Sequence, residues 1–125
     1  MNIKKLEKKL LQLDQEITTT LNERKDLNYD CNDSNDCLLY KQFGYILGHF
    51  EYIHAVINYL QRPVLKEGII KVENGKYTLD GIALNLGNVI EILKFEQDIK
   101  GNYWYPIILG ECEEVKGKRA RVRLI

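Results

Sequence analysis

Asp30-Cys31-Asn32-Asp33-Ser34-Asn35-Asp36 sets oxygen-bearing side chains at alternate positions. An EF-type loop collects oxygens around Ca²⁺ with the same spacing. Here the set is incomplete, because Asn35 stands where the sharp turn needs glycine and Lys41 stands in place of the closing bidentate glutamate. Asp, Asn and Ser also bond their own backbone, so the segment reads as a loop whose end caps a helix through Asp33 or Ser34. Cys31, Cys37, His49 and His54 carry zinc-type donors, but their spacing matches no finger or ribbon. On a helix the two histidines lie about 140° apart, and neither accompanies a Ser or Cys nucleophile motif. The glycines are singletons in turns, so no phosphate loop is present. The expectation is a chain that is not an enzyme, with no catalytic residues, no metal and no cofactor.

Two surfaces offer binding chemistry instead. Lys116-Gly117-Lys118-Arg119-Ala120-Arg121-Val122-Arg123 carries five positive charges and no acid. As a strand it sets Arg119, Arg121 and Arg123 on one face, with Ala120, Val122 and Leu124 inward. Lys116, Lys118 and these arginines could contact phosphates, with Tyr103 and Tyr105 as stacking platforms. Alternatively, Glu111, Glu113 and Glu114 neutralise the arginines. The second surface lies within residues 37–61, where Tyr45, Tyr52 and Tyr59 align at about 100° per residue and Gly44, Gly48 and Ala55 lie beside them. A glycine inside a helix costs ~1 kcal/mol relative to alanine. The usual compensation is close approach of another backbone, from the rest of the chain or from a second copy. The other reading is a protein-docking face, since tyrosine is enriched at binding hot spots.

Composition sets the frame for these surfaces. The chain has 125 residues, 45% of them hydrophobic, with 18 basic and 18 acidic side chains. That is enough for one domain or two very small ones, and no global field favours nucleic acid or an anionic membrane. The charges are 8 basic and 9 acidic before Pro63, then 10 and 9 from it onward. No apolar h-region follows the basic start Met1-Asn2-Ile3-Lys4-Lys5, and no apolar run approaches the ~20 residues of a membrane span. Three cysteines, an odd and sparse set, suit a reducing compartment. The expected setting is cytoplasmic, with no membrane partner.

The elements that must position these surfaces are legible from periodicity. Ile3, Leu6, Leu10, Leu13, Ile17 and Leu21 step by three and four, a helix with one apolar stripe. Leu39, Phe43, Ile46, Phe50, Ile53, Ile57 and Leu60 repeat the pattern through three heptads until Pro63. Two such helices joined by one loop predict an antiparallel hairpin with coiled-coil-like stripes facing each other, over residues 1–62. From residue 63 to 125 the period becomes two. The turns Glu73–Lys76, Asp80-Gly81, Asn85–Asn88, 96–102 and 113–118 separate five or six short strands. Pro106 implies an edge or a bulge. This half predicts a small antiparallel SH3-like β barrel, and the chain an α+β protein with segregated elements.

The second half contains Gly68-Ile69-Ile70, Gly75-Lys76-Tyr77-Thr78-Leu79, Leu86-Gly87 with Val89-Ile90-Glu91-Ile92, Trp104, and Gly117 to Arg123. Through these features residues 67–125 resemble an uncharacterised small β domain common in proteins of Gram-positive bacterial mobile elements and prophages. The resemblance brings no catalytic residues. It implies an accessory protein of a phage or mobile element, a setting in which small non-enzymatic proteins inhibit host defence nucleases by occlusion, as anti-CRISPR proteins do. The leading expectation is therefore an inhibitor or adaptor docking on a protein, such as a nuclease or ribonucleoprotein, through Gly44, Tyr45, Gly48, Tyr52, Ala55 and Tyr59. One alternative is a DNA- or RNA-binding accessory protein using the basic strand. Another is a structural homodimer whose hairpins form a four-helix bundle.

Overall fold

The computed structural model describes residues 1–111 and 114–124 and divides the chain into two compact units, Met1–Gln61 and the remainder from Arg62. It is an α+β protein, two helices followed by a six-stranded antiparallel sheet.

In the first unit, α1 spans Ile3–Glu23 and ends in a single tight helical turn, Arg24–Asp26. Asn2 caps it, its Oδ1 accepting from the Lys5 N–H at 2.8 Å. Thr19 and Thr20 turn their hydroxyls back onto the carbonyls of Gln15 and Glu16, which lets β-branched residues close the helix. The second helix, α2, spans Ser34–Gln61. Its N-cap is Asp33, whose Oδ1 accepts from Asn35 N at 2.8 Å and Asp36 N at 3.2 Å. The two helices run past each other in opposite directions. Asp14 meets His54, Arg24 meets Glu51, and a groove at the far end is shared by Ile3, Leu6, Ile57 and Leu60. This arrangement fits a helical hairpin.

In the second unit the strands are β1 (Val64–Glu73), β2 (Lys76–Leu79), β3 (Ile82–Ala83), β4 (Val89–Glu96), β5 (Gly101–Ile108) and β6 (Arg119–Arg123). They form one antiparallel sheet in the order β3-β2-β1-β6-β4-β5. The sheet is not closed, with β3 at one edge and β5 at the other, so the expected barrel closure is not among the observed pairings. β1 begins at Val64, earlier than the turn signals imply. Its first half pairs with β6, with a register shift between Val64 and Lys66, and its second half pairs with β2. Asn74 and Gly75 take φ of 53° and 77°, and Asp80 and Gly81 take 47° and 81°. Such left-handed pairs match the twist of the flanking strands in tight hairpins. Pro106 lies in edge strand β5, where its missing N–H costs no ladder bond.

The core of this unit is Ile70, Leu79, Leu84, Ile90, Ile92, Leu109, Val115 and Ala120, with Tyr77, Ile107 and Val122 packed on it.

Candidate functional site

The tyrosine-bearing face of α2 is open. Tyr45 and Tyr52 are 68% and 72% exposed, Gly44, Gly48 and Ala55 are exposed, and Tyr59 is half-buried. A Cβ added at Gly44 or Gly48 would meet no heavy atom within 4 Å. The close backbone approach expected at these glycines is therefore not supplied among the described residues. At the loop end the face leads into a hollow of about 480 Å³ lined by Arg24, Leu27, Tyr40, Lys41, Gly44, Tyr45 and Leu47. Tyr40 is held there by Tyr29, stacked with ring centroids 4.2 Å apart.

The apolar stripes do not face each other as periodicity predicts. The helices meet along one edge of each stripe, through buried Ile17 and half-buried Leu11, Asp14, Thr18 and Leu21 against half-buried Leu47, Phe50, His54 and Ile57. His54 Nδ1 donates to the Asp14 carboxylate at 2.9 Å, and Thr18 Oγ1 lies 3.4 Å from the same nitrogen. A polar pair thus takes the middle of the contact. Leu6, Leu10 and Leu13 of α1, and Leu39, Phe43, Ile46, Ile53 and Leu60 of α2, stay exposed. In both helices these residues lie to one side of the contact line, about 60–80° round by helical spacing. Because the helices are antiparallel, the two flanks fall on the same side and make one apolar face. Grooves of about 270 Å³ at the Ile3–Leu60 end and about 560 Å³ at the Thr20–Phe43 end follow the helix junction.

The basic strand β6 is internally paired. Glu91, 2% exposed, accepts from Arg121 Nε at 2.7 Å and from Arg123 Nε at 2.6 Å, and Arg119 pairs with Glu67. The acids that meet these arginines are thus Glu67 and Glu91, across the ladders, rather than Glu111 or Glu114; Glu113 and Cys112 lie outside the described residues. Arg123 also donates to the carbonyl of Arg62 at 2.8 Å, and the Arg121 guanidinium stacks over Trp104 at 4.5 Å. Lys116 and Lys118 are exposed in the preceding turn.

Tyr103 and Tyr105 stay together, edge to face with centroids 5.9 Å apart, and Lys94 lies 4.2 Å over the Tyr105 ring. Register separates them from the arginines. Tyr105 pairs with Ile92, which pairs with Ala120, whereas Arg121 pairs with Glu91. Directly opposed residues share a face and neighbours alternate, so the tyrosines and arginines occupy opposite faces of the sheet. Trp104 is the aromatic on the arginine side.

Sequence reasoning gave Glu91 and Trp104 no part in a site and did not pair Asp14 with His54. A lone acid between Ile90 and Ile92 is the available signal for the first, because an isolated carboxylate in an apolar strand needs a partner when both faces are covered. The acidic loop spends its carboxylates on its own backbone. Asp30 Oδ1 accepts from Asn32 N, Asp36 Oδ2 from Asp30 N, and Cys37 Sγ lies 3.4 Å from the Cys31 carbonyl. No group of three or more His, Cys, Asp or Glu side chains placed to hold a metal occurs among the described residues. No helix among them is long and apolar enough to cross a membrane.

No protein-family model matches the chain, and no curated protein or solved structure matches it significantly.

Proposed function

We propose that this chain is a non-enzymatic protein-interaction module of a phage or mobile element, an anti-CRISPR-like inhibitor that occludes a host defence nuclease or ribonucleoprotein in the cytoplasm. The observation that carries the reading is the tyrosine face of α2. Two large aromatic side chains stand in solvent beside two helix glycines that have open space at their Cβ positions. Rigid amphipathic side chains flanked by low relief suit a flat docking surface. The mobile-element setting follows from the resemblance of residues 67–125. The finer view of the sheet as SH3-like belongs to the same proposal, supported by the way β1 divides between β2 and β6. The test is a pull-down from host lysate with and without nuclease treatment, together with a cleavage assay on a guide-RNA-loaded nuclease. Stoichiometric inhibition lost in Tyr45→Ala/Tyr52→Ala is the expected result; a chain that recovers no protein and leaves cleavage untouched defeats the proposal.

A second reading, direct DNA or RNA binding through Lys116, Lys118, Arg119, Arg121 and Arg123, draws on the five basic residues between 116 and 123, of which Lys116 and Lys118 stand exposed in the turn before β6. It predicts steeply salt-dependent binding whose slope flattens in Lys116→Ala/Lys118→Ala. Absence of binding at low salt would sink it.

A further inference from the structure

We infer that the apolar face shared by α1 and α2 is covered by a second copy of this chain, α1 packing antiparallel on the partner's α1 to complete a four-helix bundle. The inference is independent of the tyrosine face, which lies about a quarter turn further round α2.

The apolar face alone calls for a covering layer without naming it. Leu6, Leu10, Leu13, Ile53 and Leu60 are all exposed, and only Ile17 is buried in the helical unit among the described residues. The charges of α1 name the occupant. Lys4, Lys5, Lys8 and Lys9 crowd its first half with one acid, Glu7, while Asp14, Glu16 and Glu23 follow in the second half. The first turn holds no acid and the last turn no base. This order runs against the helix dipole, which favours acids at the N-terminus and bases at the C-terminus. An isolated α1 therefore carries its charges in the less favourable order.

A second α1 laid antiparallel removes that conflict. By helical spacing Lys5, Lys9, Glu16 and Glu23 fall within about 40° of one another, on the rim of the exposed Leu6–Leu13 flank. All four are exposed. A two-fold axis near Leu13, itself 54% exposed, brings Lys9 to the partner's Glu16 and Lys5 to the partner's Glu23. Every pair occurs twice, as an isologous interface requires. The leucines then meet leucines across the axis, and oppositely charged rims border them. Neither a parallel α1 pair nor α1 on the partner's α2 gives this match.

The experiment is sedimentation velocity from micromolar to near-millimolar concentration on the full chain and two charge-reversed variants, Lys5→Glu/Lys9→Glu and Glu16→Lys/Glu23→Lys. The full chain should reach twice its 14.6 kDa mass. Each variant alone should associate at least about tenfold more weakly, since four facing pairs become repulsive. Mixing the two should restore the dimer, because every facing pair is then opposite in sign. Both variants also place their charges in the order the helix dipole favours, so lost association cannot come from a weakened helix, and circular dichroism will register any loss. A wild-type chain that stays monomeric throughout overturns the inference, whether the sheet unit or another protein covers the face. Variants that dimerise like wild type, or a mixture that does not recover, overturn it as well.

Discussion

The sheet unit and the helical unit are built from similar fractions of apolar residues, yet they dispose of them in opposite ways. Eight of the nine buried apolar residues among those described belong to the sheet unit, one to the helical unit. Strands of alternating pattern gather their inward side chains on one face, where Leu84, Leu109 and Val115 from the connecting segments complete the core. Two helices touch along one line and leave the remaining sectors in water, whatever their stripes. In the sheet unit even the buried carboxylate of Glu91 on β4 is met, by Arg121 and Arg123 of β6. The helical unit leaves leucines exposed on one side and Tyr45 and Tyr52 exposed on another. Stability is thus concentrated in one unit and unsatisfied surface in the other, and unsatisfied surface is where binding energy comes from.

The strongest way to break this contrast is to disturb the sheet's own charge balance. Glu91→Ala removes the buried carboxylate that accepts from Arg121 and Arg123, both largely buried. Removing one partner of a buried ion pair costs about 3–5 kcal/mol. Trp104 is the single tryptophan and stacks on Arg121, so its fluorescence reports this unit alone. Denaturant unfolding followed at Trp104 should move to much lower midpoint while helical circular dichroism moves less. An unshifted fluorescence transition would mean that the triad is solvated and that the sheet is not self-contained.

The same chemical deletion in both units sharpens the comparison further. Leu79→Ala empties a fully buried site and should cost about 2–5 kcal/mol. Leu39→Ala, at an exposed position near the start of α2 and away from the proposed two-fold axis, should stay within about 0.5 kcal/mol. Equal losses at the two positions would show that Leu39 is packed in solution and that the helical unit has a core of its own.

An intermediate effect is expected where local signals already fix the structure. Asp33→Ala removes the side chain that accepts from Asn35 N and Asp36 N and should cost about 1 kcal/mol of α2 stability, read by thermal loss of helical circular dichroism. That cap was legible in the sequence as one of two candidates, Asp33 or Ser34, as were both helical periods, the turns at Asn74-Gly75 and Asp80-Gly81, and the choice of an edge or a bulge at Pro106. All of these depend on neighbours within a few residues. What stayed illegible depends on which element lies opposite. Spacing marks a stripe on α1 and another on α2, but it does not say that only one edge of each is used, because Asp14 and His54 draw the contact line toward themselves. Alternation puts Arg121 and Arg123 on one face, but only the register between β4 and β6 reveals Glu91 as their partner. The same register parts Tyr103 and Tyr105 from the arginines that sequence reasoning had grouped with them. The tyrosine face of α2 was legible as a pattern, whereas its openness was not.

The smallest expected effect separates the two explanations for that face. An exposed helix glycine replaced by alanine stabilises the helix, since alanine loses less backbone freedom on folding, and the gain is ~0.8 kcal/mol. At Gly48 the added methyl meets nothing within 4 Å, so the isolated chain has no steric reason to oppose the change. Gly48→Ala should therefore raise the helical melting temperature while weakening capture of the protein partner, because the methyl group would stand between Tyr45 and Tyr52 on the proposed docking surface. A gain in stability with undiminished binding would move the docking surface off the tyrosine face. A loss of stability would mean that some part of the chain closes over Gly48 in solution, and the contrast between a self-sufficient sheet and an uncovered helical pair would fail at its most exposed point.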